Sequence, residues 1–263
     1  MELTDSRVLV TGASTGIGRV TALRLARKGA QVWAAARDEQ RLKTLAAEHR
    51  AIVPVPADVS ENADRAALVE QCEPVDVLVN NAGLGWKGLV EDMPPAKVRE
   101  LFEVNVLALI DLTQRVLHGM LERGRGHIVN VGSIAGYVAA PGETVYCATK
   151  FAVQGFTDGL RREVARRGVD VTLIAPGPIK TEFMARIRTG EPAEEAGALD
   201  YGMSPESVAK AIVRALTRRV PGYKTITVPR IGGFSRLGAA PGLARATDLA
   251  TRGRVRKAMA ERQ

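Results

Sequence analysis

Arg7-Val8-Leu9-Val10-Thr11-Gly12-Ala13-Ser14-Thr15-Gly16-Ile17-Gly18 joins a short apolar run to a glycine-rich turn, and Val20, Leu23, Leu25 and Ala26 then carry a helical period as far as Gly29. The order strand, glycine turn, helix predicts the opening of a βαβ unit able to hold a dinucleotide. Glycines let the backbone approach a pyrophosphate, and the helix behind them offers unpaired N–H groups and a partial positive charge.

The same alternation continues down the chain. Gln31 to Arg37 reads as a second strand, followed by a helix from Asp38 to about His49, then Ala51 to Val55 and Val75 to Val79 as strands three and four. Val98 to Arg123 reads as one long helix with Asn105 set among apolar neighbours, and His127 to Ser133 as strand five. Strand six spans Val169 to Ala175, a helix covers Pro205 to Arg218, and Lys224 to Val228 supplies a seventh strand. Apolar strands alternating with helices predict an α/β domain with a parallel sheet and helices on both faces. Ligands in such sheets bind beyond the carboxyl ends of the strands, where Gly12, Arg37, Asp58, Asn81, Ser133 and Pro176 all fall.

Tyr146-Cys147-Ala148-Thr149-Lys150 places a phenol and an ammonium four residues apart at the head of a helical pattern that runs to about Arg167. Residues i and i+4 share a helix face. A cation beside a phenol favours the phenolate and lowers the phenol pKa, which suits acid/base chemistry on a carbonyl or an alcohol. The end of strand two bears on the nicotinamide cofactor. An acidic residue there bonds the ribose 2′-hydroxyl, whereas an arginine accommodates a 2′-phosphate, and here Ala36 is followed by Arg37.

The 263 residues suffice for one sizeable core, and 46% hydrophobic with 25% charged residues is ordinary for a globular protein. An acidic N-terminus leading into a strand and the lack of a long apolar run predict neither a leader nor a membrane span. Cys72 and Cys147 are expected to stay reduced, which fits a cytoplasmic protein. The net charge of +8 is uneven, because residues 230–263 hold eight cationic and two acidic residues and so account for six units of it. His49, His118 and His127 lack metal-ligand spacing, and no metal site is expected.

With Thr11-Gly12-x-x-x-Gly16-x-Gly18, Asn80-Asn81-Ala82-Gly83, Asn105, Ser133, Tyr146-x-x-x-Lys150 and Pro176-Gly177 in that order, residues 5 to about 230 resemble the short-chain dehydrogenase/reductase family. The resemblance implies a single doubly wound Rossmann-fold domain over residues 1–229, with a lid at about 182–204 and a basic extension at 230–263. It implies that Tyr146 protonates the carbonyl oxygen as a hydride reaches the carbon. Lys150 lowers the pKa of Tyr146 and holds the nicotinamide ribose, Ser133 bonds the substrate oxygen, and Asn105 positions a water that links Lys150 to solvent. Gly12, Ser14, Thr15, Gly16, Ile17 and Gly18 would line the pyrophosphate and adenosine, Arg37 the 2′-phosphate, Asp58 and Val59 the adenine, and Asn81, Ala82 and Gly83 the adenine ribose. Pro176, Gly177, Ile179 and Thr181 would reach the nicotinamide. Many NADP-preferring members carry a basic residue where this chain has Thr15, so Arg37 carries the preference for NADP(H) alone.

Several residues keep a second reading at this point: Ser133 as a strand-end cap, Asn105 as a satisfied core amide, Asp58 as a helix cap, and Arg37 as a solvated side chain. Trp86 and Tyr137 either flank the substrate or pack within loops. The Leu84–Val90 segment, the Ile134–Glu143 loop and the lid around Phe183, Met184 and Ile187 are mainly apolar, so a hydrophobic ketone, aldehyde or alcohol is expected. Lys87, Lys180, Arg186 and Arg188 leave an anionic carrier open, as in a 3-ketoacyl-carrier-protein reductase. An NAD-dependent alcohol or steroid-like dehydrogenase and a catalytically silent NADP sensor are the other readings. The family implies a homodimer or homotetramer, with Val153, Phe156 and Leu160 too widely spread to face the sheet together. The tail reads as a solvated or partly disordered basic extension, with a peripheral contact to an anionic membrane and a partner or subunit contact as alternatives, ahead of nucleic acid because it lacks interleaved aromatics.

Overall fold

β1 (Arg7–Thr11) lies near the middle of a seven-stranded parallel sheet in a computed structural model that describes residues 1–183, 202–217 and 225–228. Around it are β2 (Gln31–Ala36), β3 (Ile52–Pro56), β4 (Val77–Asn80), β5 (Gly126–Val131), β6 (Val169–Pro176) and β7 (Thr225–Val228), in the order β3-β2-β1-β4-β5-β6-β7. Among the described residues the helices are α1 (Gly16–Ala26), α2 (Glu39–Ala47), α3 (Asn62–Cys72), α4 (Pro95–Phe102), α5 (Ala108–Glu122), α6 (Thr144–Glu163) and α7 (Pro205–Thr217). This is the expected doubly wound α/β fold.

The central strands are buried on both faces, which is why they read as unbroken apolar runs. Val8, Val10, Val32 and Ala34 face α1, α2 and α7 through Leu23, Leu25, Leu42, Leu45 and Ile212. Leu9, Trp33 and Leu78 face the opposite layer, where Leu68, Leu112, Val116 and Leu160 complete a second core. An ion pair between Arg24 and Glu206 joins α1 to α7 across the first layer.

Two expected helices differ in detail. The stretch read as one helix from Val98 to Arg123 is broken by a π turn, Glu103–Leu107, between α4 and α5. There the Ala108 N–H reaches back to the Glu103 carbonyl, one residue farther than in an α-helix. The extra residue turns Asn105 inward, where it is 1% exposed. The helix bearing Tyr146 begins at Thr144 and stops at Glu163, short of Arg167. Arg166 and Gly168 adopt positive φ angles of 67° and 80°, which turn the chain into β6. On α6, Val153 and Leu160 are buried and Phe156 packs against both neighbouring clusters, so one chain accommodates all three; Phe151 is the side chain left 41% exposed. Most of the expected lid and the whole basic tail lie outside the described residues.

The strand order reverses between β1 and β4, which both neighbour each other and lead to opposite edges of the sheet. This switch point opens a crevice at the carboxyl ends of the two strands. A hydrogen-bond knot closes its floor. The Thr11 hydroxyl accepts from the Asn81 and Ala82 N–H groups, each at 3.0 Å, and the Asn81 amide donates to the Thr11 and Gly12 carbonyls at 2.9 and 3.2 Å. Gly12 has φ of 64°, and a Cβ there would lie 2.8 Å from Ala82 Cα. A Cβ on Gly18 would lie 2.3 Å from the Gly12 carbonyl oxygen. Replacing Asn81 with Ala unpairs those carbonyls, and a loss of about 1–3 kcal/mol is expected. The check is the urea-unfolding midpoint of Asn81→Ala against the wild type, with little change in far-UV circular dichroism of the folded state.

Candidate active site

The crevice is a single cleft of about 1010 Å³ that runs from Arg37 and Asp58 at one end to Ser133, Tyr146 and Phe183 at the other. At its centre α1 starts from Thr15, whose side chain makes no capping hydrogen bond, and no acidic residue occupies the first turn. The N–H groups that begin α1 are thus left to an external anion. Gly16, with φ of 53°, abuts Thr181, whose Cγ2 would lie 3.1 Å from a Cβ added there. The glycine loop and the chain leaving β6 therefore face each other across the cleft. This cradle fits a dinucleotide pyrophosphate, with Gly12, Ser14, Thr15, Gly16 and Ile17 on one wall and Pro176, Gly177, Ile179 and Thr181 on the other. Gly18 does not line the cleft; it packs behind the loop against Gly12 and Asn81.

At the adenosine end Arg37 is 61% exposed and lies 3.8 Å from the Asp58 carboxylate. Asp58 caps no helix, since α3 starts from Glu61. It accepts from the Ser60 N–H at 2.9 Å and from the Ser60 hydroxyl at 2.7 Å. Burial raises its pKa, but those two hydrogen bonds and the Arg37 charge outweigh burial and hold the carboxyl below its usual range. Val59 completes this wall.

Two residues here escaped the sequence reading. Arg41, on α2, also lines the cleft, and its guanidinium pairs with Asp38 at 3.2 Å and with Glu182 at 2.7 Å. Arg37 is thus not the only cation at this end, and since it precedes α2 the helical spacing rule does not announce the pairing. Arg65, 7% exposed, donates to the Val59 and Ser60 carbonyls at 2.7 and 3.0 Å and to Asp111 at 2.6 Å. It fixes the backbone of the Val59–Ser60 wall of the cleft, and nothing in the sequence distinguishes it from a surface arginine on α3.

The other end assembles the expected set. Ser133 follows β5, and its hydroxyl accepts from the Ala135 N–H at 3.1 Å, so it does cap a short turn, Ile134–Gly136. A Cβ on Gly136 would lie 2.6 Å from the Lys150 carbonyl oxygen, which shows how tightly this turn rests on α6. Tyr146 sits in the first turn of α6, 8% exposed, with the Phe183 ring centroid 6.2 Å away. Lys150 Nζ lies 5.7 Å from the Tyr146 ring centroid and donates to the Val131 carbonyl at 3.2 Å.

The expectation that Lys150 draws the Tyr146 pKa down is not what this geometry gives. Burial pushes the phenol above its ordinary value; a hydrogen bond with Ser133 opposes the rise, and the Glu143 charge adds to it. Burial also pulls the Lys150 ammonium down to about 8. Desolvation penalises both charged forms and is the largest cause of each shift.

Asn105 braces the site. Its amide oxygen accepts from the Leu84 N–H at 2.7 Å, and its NH₂ donates to the Leu84 carbonyl at 2.9 Å and to the Thr149 hydroxyl at 3.0 Å. The side chain is a satisfied core amide that ties the segment after β4 to α6. Gly83 keeps the space between Asn105 and Lys150 open, because a Cβ there would lie 3.2 Å from Asn105 Oδ1 and 3.8 Å from Lys150 Nζ. Tyr137 is 5% exposed in the core, and neither it nor Trp86 lines the cleft. His127 is buried against Thr172, Cys72 and Cys147 are free thiols, and no metal-binding cluster occurs among the described residues.

Comparison with known proteins agrees with this geometry. Residues 6–192 match the family model described as short chain dehydrogenase. A relative named ketoacyl reductase HetN, from Nostoc sp., is 34% identical over 225 residues, covering 82% of this chain and 77% of the relative. Of solved structures, a short-chain dehydrogenase from Sphingobium yanoikuyae in complex with NADPH superposes with a TM-score of 0.79 at 30% identity, over 92% of this chain and 94% of that one. A short-chain dehydrogenase/reductase from Burkholderia phymatum in complex with NAD gives 0.78 at 26% identity, over 90% and 94%.

The Lys150 shift has a consequence for stability. Its pKa falls from 10.5 to about 8 on folding, so between those values the unfolded chain binds more protons than the folded one. Stability contributed by this group therefore rises with pH across that window, by up to about 3 kcal/mol. Urea-unfolding midpoints of Lys150→Met and wild type are expected to differ most in favour of the variant at pH 7, with the wild type gaining on it from pH 8 to 10.5. A difference that stays flat over that range places the ammonium in a solvated environment.

Proposed function

The chain belongs to the short-chain dehydrogenase/reductase family and is an oxidoreductase of that type, and we propose that it interconverts a hydrophobic ketone or aldehyde and the corresponding alcohol, with NADP(H) as its preferred cofactor. The observation that carries this reading is the continuity of one cleft, with two arginines at the adenosine end and Ser133, Tyr146 and Lys150 at an apolar far end. When bound, NADPH supplies the hydride. Tyr146 donates its phenolic proton to the carbonyl oxygen, and Ser133 donates a hydrogen bond to the same oxygen. A phenol held above its ordinary pKa is protonated at neutral pH, which suits the reduction direction. Lys150 then stabilises the phenolate left behind and holds the nicotinamide ribose. The Asn105 side chain is committed to Leu84 and Thr149, so its part in the site is to hold the segment after β4 against α6.

The preference for NADP rests on Arg37 and Arg41 together. Arg37 offsets Asp58 at the edge of the cleft, and Arg41 lines the same end from α2. Residues 1–229 would form the catalytic domain and 230–263 a basic extension, with a weak anionic-membrane contact as its role in an otherwise cytoplasmic protein. No helix among the described residues is long and apolar enough to cross a membrane. Self-association as a homodimer or homotetramer would cover Leu107 and Phe151, which are 50% and 41% exposed next to α5 and on α6.

Two measurements test this. Tyr146→Phe is expected to lower kcat for NADPH-dependent ketone reduction by about 10²–10⁴-fold, with NADPH affinity by calorimetry within a few-fold of wild type. A protein that only senses the nucleotide gives no wild-type turnover to lose. Arg37→Ala combined with Arg41→Ala is expected to weaken NADPH binding by at least about tenfold while leaving NADH binding in place. Equal losses for both cofactors would place the arginines away from the 2′-phosphate.

A further inference from the structure

Arg65 stands behind the adenosine end of the cleft and lines none of it. From α3 its buried guanidinium meets acceptors on three separate segments. Nη1 donates to the Val59 and Ser60 carbonyls, just before α3, at 2.7 and 3.0 Å and to the Glu103 carboxylate in the π turn at 3.1 Å; Nε donates to Asp111 on α5 at 2.6 Å. Asp64, its neighbour on α3, accepts from the Asp58 N–H at 2.8 Å. Two of the segments so joined bear apolar residues of the cleft. Val59 and Val104, the latter next to Glu103, both line it together with Ala82, and Ala82 and Val104 pack against the cluster that contains Val59.

A buried guanidinium is costly to desolvate, and an interior ion pair adds little stability over apolar packing. What its planar fork supplies is geometry, because each N–H fixes an acceptor in direction as well as in distance. Since Arg65 lies outside the cleft, the Val59 and Ser60 carbonyls it holds are turned out of the cleft too. Resting on the cofactor reading above, we propose that Arg65 is a positioning residue for the adenine ring: it ties the Val59–Ser60 backbone to the π turn, so that Val59, Ala82 and Val104 form a slot of fixed width for a flat base. The role is separate from recognition of the 2′-phosphate, which falls to Arg37 and Arg41.

The test uses the full-length protein and two variants: Arg65→Lys, which keeps the charge and loses the fork, and Glu103→Gln, which keeps the shape and loses one charge at a partly exposed side chain. By calorimetry, Arg65→Lys is expected to weaken NADPH and NADH binding by the same factor, at least about tenfold, and Glu103→Gln to weaken both by about threefold. In ketone reduction at saturating NADPH, kcat and the ketone KM are expected to stay within about twofold of wild type while the KM for NADPH rises in step with the binding loss. A merely structural role lowers kcat along with affinity. Thermal melts identify a variant that misfolds, and either folded variant alone decides the question. Folded variants that bind both cofactors as the wild type does, or that lose affinity for NADPH alone, overturn the role of Arg65 and leave the reductase reading standing. A wild type that binds both cofactors but reduces no ketone removes the reductase reading, and the binding losses still decide the role of Arg65. A wild type that binds neither cofactor removes the cofactor reading and this inference with it.

Discussion

Thr11 and Asn81 make the contact on which the site depends. At the switch point the chains leaving the two paired central strands head toward opposite edges of the sheet, and this knot ties their starts together. The Thr11 hydroxyl holds two consecutive N–H groups of the segment after β4, and the Asn81 amide returns two hydrogen bonds to the end of β1. The glycine loop, packed on this knot without side chains of its own at Gly12 and Gly18, is set at a fixed height above the sheet. The walls of the cleft are built outward from that level: the bare start of α1, the Asp58 wall pinned by Arg65, and the chain leaving β6.

The reactive end follows a different logic, in which burial outranks charge attraction. Tyr146 and Lys150 lie on one helix face, as their spacing requires, yet each is pushed toward its neutral form. The result is a protonated phenol beside a weakened ammonium, with the proton held on oxygen at neutral pH. Ser133 and Glu143 then act on Tyr146 in opposite senses, one easing the phenolate and the other opposing it. The hydrogen bonds of Asn105 to Leu84 and Thr149 keep these groups in register across three separate elements.

Much of this was legible because the chemistry is local in sequence. The strand–glycine–helix order, the apolar strands and the four-residue step from Tyr146 to Lys150 each lie within one stretch of chain, and the structure assembles them as read. What was illegible depends on distance in the fold. The sign of the Tyr146 shift turns on how deeply two side chains are buried, which spacing does not report. Arg65 looks like any helix-surface arginine until β3 and α5 bring Val59, Ser60 and Asp111 to it. Arg41 reaches the cleft from α2, and the π turn that buries Asn105 interrupts an apolar period that reads as continuous helix in the sequence.

That π turn also constrains how this region can change over generations. One residue added to or removed from an α-helix rotates everything beyond it by about 100°. The Glu103–Leu107 turn fixes the angular phase between α4 and α5, so that Asn105 points at α6 while Leu109, Leu112, Val116 and Met120 point at the sheet and its neighbours. The residue count from Leu101 to Leu109 is therefore constrained by the architecture: a single-residue insertion there would have to be offset by a nearby deletion, or the reverse, to keep Asn105 on its partners.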